Sequence, residues 1–69
     1  MYVDTHRLEI AVRPLSQWPD ERVTLVYGLL SAEVRALLES SDAHPVELAY
    51  ARRDAELFGV EALRRGLIG

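Results

Sequence analysis

The residues of this chain that could do chemistry are two histidines, eleven carboxylates and a few hydroxyls. Asp4 and His6 stand two apart. On an extended backbone they share a face, and a carboxylate beside an imidazole is the pairing that orients a general base or a metal ligand. Spacing places no third ligand and no nucleophile next to them. His44 precedes Pro45. A residue before proline avoids helical angles, so that position reads as a helix N-cap rather than a catalytic group. Ser16, Ser31, Ser40 and Ser41 fall where hydroxyls bond nearby backbone in loops and caps. There is no G-x-S-x-G, no glycine-rich phosphate loop and no H-E-x-x-H. The chain has no cysteine, which excludes disulfides and thiolate zinc sites. The expectation is a protein that is not an enzyme and carries no cofactor and no metal.

Residues suited to recognition are better represented. Arg52-Arg53 and Arg64-Arg65 are the basic doublets. Arg53 and Arg64 share a face if the helix carrying them is continuous. Glu61 precedes Arg65 by four, the favourable order for a helical ion pair, so much of this charge reads as a solvated face. Val46, Tyr50 and Leu57 form one apolar stripe of a helix beginning at Pro45; Leu48, Ala51, Ala55 and Phe58 form another on nearly the opposite side. A helix apolar on two sides has to be buried twice. Trp18, in a loop between Pro14 and Pro19, is either an interface anchor or a lid over the core. The candidate partner-binding residues are therefore Trp18, Tyr50, Leu57, Phe58, Arg53 and Arg64.

Size sharpens that expectation. Sixty-nine residues allow one domain, residues 1–69. A chain this short buries only about 60% of the surface its unfolded form exposes. Small domains compensate with disulfides, metals or association, and association is the route left here. With 49% hydrophobic residues, a homodimer or a complex with another protein is expected. The net charge of −3 argues against a general nucleic-acid coat, although a local basic patch stays open. All eight basic residues are arginine, and lysine and asparagine are absent, which fits a GC-rich bacterial or phage genome. No signal peptide is visible, and the longest apolar run is far short of the roughly 20 residues of a membrane helix, so a soluble cytoplasmic protein is expected.

The elements that must position these residues read as follows. Residues 5–13, T-H-R-L-E-I-A-V-R, put Leu8, Ile10 and Val12 on one side and Arg7, Glu9 and Ala11 on the other, the period of a half-buried strand. Residues 14–20 are a connection with two prolines. Residues 21–30 read two ways. Val23, Thr24, Val26 and Tyr27 favour a strand antiparallel to the first. Alternatively Pro19 opens a helix in which Val23, Tyr27, Leu30, Val34 and Leu37 form a stripe. Ser31 as the N-cap of a helix over 32–40 tips the balance to the strand. A second helix is expected over 45–58, broken at Gly59, and a short one over 60–65, ended by Gly66 with Leu67 folding back. The fold class is α+β: an N-terminal two-stranded hairpin followed by two to three helices.

An alternative rests on the strand over 7–13, the turn-like Gly28-Leu29-Leu30-Ser31, and the helix carrying Val34, Arg35, Leu37 and Leu38. That order resembles the ribbon-helix-helix repressors and antitoxins. The resemblance implies a dimer whose N-terminal strands pair and enter the DNA major groove, with Thr5, Arg7 and Glu9 on the reading face. Residues 45–69 would then be a partner-binding tail. The first expectation remains a small non-enzymatic interaction or regulatory module, acting as a homodimer.

Overall fold

A computed structural model describes residues 5–69, with side chains from Glu9 onward. Among the described residues there is no strand. Helix α1 (Thr5–Val12) leads through a 3-10 turn at Leu15–Gln17 into helix α2 (Asp20–Glu39), which turns at residues 40–44 into helix α3 (Pro45–Arg64). The long helices α2 and α3 pack against each other over much of their length.

The expected α+β hairpin is therefore corrected to an all-helical fold. Over residues 5–13 the alternation of apolar side chains is real, but the segment is also built of arginine, leucine, glutamate and alanine, all good helix formers. A helix satisfies its own backbone N–H and C=O groups, so it needs no neighbouring strand. In α1, Ile10 packs against the core while Val12 points to solvent at 88% exposure. With no strand over 7–12, the ribbon of the ribbon-helix-helix alternative has no counterpart. Glu9, expected on its reading face, instead accepts hydrogen bonds from Arg22 Nη2 and Nε at 2.8 and 3.3 Å, tying α1 to α2. Asp4 and the side chain of His6 lie outside the described residues.

Residues 21–30 belong to α2, and Ser31 is not a helix start but a half-buried position in mid-helix. Pro19, extended at φ −62° and ψ 149°, is the cap, and Asp20 and Glu21 follow in the first turn, where carboxylates favour the helix dipole. The stripe Val23, Tyr27, Leu30, Val34 and Leu37 runs across Ser31 without a break and faces α3, which outweighs the β-branched composition of its first half. The break expected at Gly59 is absent as well. A Cβ at Gly59 would lie 3.0 Å from Cε1 of Tyr27, so the glycine admits the Tyr27 ring against α3. Close packing offsets the roughly 1 kcal/mol that glycine costs in a helix interior.

The helix ends agree with the sequence. His44 caps α3, its Nδ1 accepting the Val46 N–H at 3.1 Å. At the other end Gly66 takes φ 74°, and the N–H groups of Gly66 and Leu67 donate to the carbonyls of Leu63 and Ala62. This is the left-handed glycine stop, with Leu67 folded back on the core.

The core gathers where the start of α2 meets the end of α3. Trp18, Val23, Val26, Leu30, Phe58 and Ala62 are buried, with Ile10, Leu15, Tyr27, Ala55, Leu67 and Ile68 packed around them. Arg65 clamps this end. Its Nη1 donates to the Trp18 carbonyl (2.6 Å) and to Asp20 (2.8 Å), its Nη2 to the Leu15 carbonyl (2.9 Å), and its Nε to Glu61 (2.6 Å). The expected Glu61–Arg65 pair thus forms, as part of a network that fixes the proline-rich connection to α3.

The molecule is flat: 36 × 28 × 14 Å along its principal axes. Its accessible surface is 4816 Å², whereas a compact monomer of this mass exposes about 4400 Å².

Candidate functional site

Helix α3 buries one side and leaves much of the other exposed. On α3 the inward side carries Ala51, Asp54, Phe58 and Ala62, all buried. Positions between them at alternating steps of four and three emerge on the outward side: Val46, Tyr50, Arg53, Leu57, Val60 and Arg64. That spacing keeps one straight stripe along a helix and is the pattern that mates with another helix. Val46, Tyr50 and Leu57 each retain about half their exposure, and Val60 and the adjacent Leu63 retain 61%.

Two grooves flank the stripe. The larger, about 810 Å³, runs between α1 and α3; Ile10 and Ala11 form one wall and Arg53, Asp54, Leu57 and Val60 the floor. The smaller, about 450 Å³, lies between α2 and α3, lined by Tyr27, Ser31, Val34, Ala55, Gly59 and Leu63 among others. Glu56 and Val60 border both, so they stand on the ridge between them. Both grooves are mainly apolar.

Charge decorates the stripe without breaking it. The Arg53 guanidinium sits 4.9 Å from the centre of the Tyr50 ring, a cation–π contact that holds both side chains over the helix. Arg64 donates through Nε and Nη2 to Glu61 at 3.0 and 2.6 Å, while its side chain stays 62% exposed. The hydrogen bonds from Arg64 and then Arg65 hold the Glu61 carboxyl down at about 2, against an ordinary 4.5. The hydrogen bond from Arg22 likewise lowers Glu9.

Four of the six residues expected to bind a partner thus come together on one face: Tyr50, Arg53, Leu57 and Arg64. The other two are structural here. Trp18 and Phe58 are almost fully buried and stack edge to face, ring centres 5.3 Å apart. The indole N–H of Trp18 donates to the Arg13 carbonyl at 2.9 Å, so the polar edge of the ring is satisfied inside the fold. Trp18 is the lid on the core. Val60 and Leu63 belong to the outward face but were hidden by the break expected at Gly59; continuing the four-three spacing past that glycine would have found Val60. Ile10 and Ala11 enter the groove because residues 5–12 are helical.

Among the described residues no three His, Asp or Glu side chains gather in a way that could hold a metal ion. No helix among them is long and apolar enough to cross a membrane. The outward face of α3, an exposed stripe between two mainly apolar grooves, is the candidate site. Comparison with protein-family models, curated proteins and solved structures finds no match.

Proposed function

We propose that this protein is a small non-enzymatic interaction or regulatory module that works as a homodimer through the outward face of α3. The observation that carries this is the row Val46, Tyr50, Leu57 and Val60 along α3, with Arg53 among them, each about half exposed or more. Isolated exposed leucines are ordinary; a contiguous row along one helix, edged by apolar grooves, marks an interaction surface. A small core gains most from association, because a second copy supplies the apolar cover that the chain cannot provide for itself.

Sedimentation of the protein at micromolar concentration tests this. The expected result is a dimer. Leu57→Arg should give a monomer with unchanged helical circular dichroism, weakening self-association at least 100-fold, since the variant would bury a further unpaired cation beside Arg53 at the contact. A wild-type chain that stays a folded monomer at tens of micromolar would overturn the proposal.

A further inference from the structure

The charges beside the stripe specify how two copies meet, and this inference rests on the dimer proposed above. Along the outward side of α3 the exposed charged groups run Arg53, Glu56, Arg64, while Glu47 falls on the inward row with Ala51, Asp54 and Phe58. Laid parallel and in register, two such helices would place Arg53 against the partner's Arg53 and Arg64 against the partner's Arg64, like charges at the centre of the seam. Laid antiparallel about a two-fold axis between the levels of Arg53 and Leu57, the same sequence becomes self-complementary. Arg53 then faces the partner's Leu57 with the partner's Glu56 beside it, and Arg64 faces the partner's Val46. Tyr50 falls opposite the partner's Val60, so aromatic meets aliphatic on both sides of the axis. A two-fold contact is by nature self-complementary in this way.

We infer that the dimer is an antiparallel α3–α3 pair, with a second copy of this chain as the occupant of the outward face. Arg64 is prepared for its role. Its Nε and Nη2 are taken by Glu61, so its charge is already paired where it meets the partner's Val46. Arg53, held over Tyr50 and paired through Nε with Asp54 Oδ1 at 3.5 Å, stays 54% exposed beside the partner's Glu56. The helix of the second copy lies along the α1–α3 groove, where Ile10 and Ala11 add apolar wall.

The chain has no cysteine, so engineered cysteines report the arrangement directly. A disulfide needs Cα atoms about 4.4–6.8 Å apart. Residues 46 and 64 are separated along α3 by roughly 27 Å. Val46→Cys and Arg64→Cys chains, prepared separately and then mixed under mild oxidant, should form the mixed disulfide, with little cross-linking of either alone. Self-linking of Val46→Cys, or a sedimenting dimer in which the mixture does not link, overturns the antiparallel geometry while leaving the dimer intact. A monomer in the parallel sedimentation run overturns both.

Discussion

Phe58 and Leu57 are neighbours on α3, yet Phe58 is fully buried beneath Trp18 while Leu57 keeps 48% of its exposure. Inward, small residues alternate with one large ring: Ala51, Phe58 and Ala62 let α2 approach closely, and Tyr27 reaches α3 over the bare Cα of Gly59. Outward, Val46, Tyr50, Leu57 and Val60 stand in a row that keeps about half or more of its exposure among the described residues. Both faces are apolar, so hydrophobicity alone does not distinguish them. What distinguishes them is that a 69-residue chain has one other long helix to offer, and α2 can cover only one side of α3.

The sharpest way to break the comparison is to truncate each neighbour. Phe58→Ala should cost about 3–5 kcal/mol, enough to unfold most of so small a protein. Leu57→Ala should change the stability of the monomer by no more than about 0.5–1 kcal/mol, measured by urea unfolding at submicromolar concentration, and should act instead on association. Equal losses would mean that the two faces are not different.

The arginine neighbours Arg64 and Arg65 pose the same contrast in charge. Arg65 is 11% exposed and bonds to three chain segments, whereas Arg64 bonds, among the described residues, to Glu61 alone. Arg65→Ala should lower the melting temperature clearly more than Arg64→Ala. Acid tests the same network. Glu61 is held at about 2 when folded and rises to its ordinary 4.5 when unfolded. Its contribution is therefore complete above about pH 4.5 and is lost as pH falls toward 2, because the unfolded chain takes up the proton first. Glu61→Gln should flatten the fall in melting temperature across that window.

The smallest effects come from the two helical glycines. Gly28 faces open space, so Gly28→Ala should add about 1 kcal/mol through helix propensity. Gly59→Ala gains the same propensity but drives a methyl into Tyr27, and should end about 1 kcal/mol below wild type. Thermal melts of the two variants should move in opposite directions. A stabilised Gly59→Ala would show that the Tyr27 ring yields freely and that close helix approach is not why the glycine is there.

Local chemistry was legible wherever a single turn decides the outcome. His44 before Pro45 gave the start of α3, Gly66 followed by Leu67 gave its end, and the step of four from Glu61 to Arg65 gave an ion pair. Four of the six expected contact residues share the outward face because they fall on one helical stripe, which requires only that the helix run unbroken past Gly59. Elements without such signals were misread. Residues 5–13 alternate as a strand would, and Ser31 resembles a cap, because short windows of apolar, β-branched and hydroxyl residues fit two periods about equally well.

The sequence by itself determined the absence of cysteine chemistry, the helix boundaries at 44–45 and 65–66, and the excess of apolar residues over what a small core can hide. Only the tertiary structure decided that residues 21–30 are helical, that Trp18 and Phe58 are core, and which of the two apolar sides of α3 stays open. The physical reason is that caps and stops are settled by contacts within a few residues, whereas helix against strand and inside against outside depend on burial. Burial of α3 depends on α2, whose facing residues are distant in the chain, as Tyr27 is from Gly59.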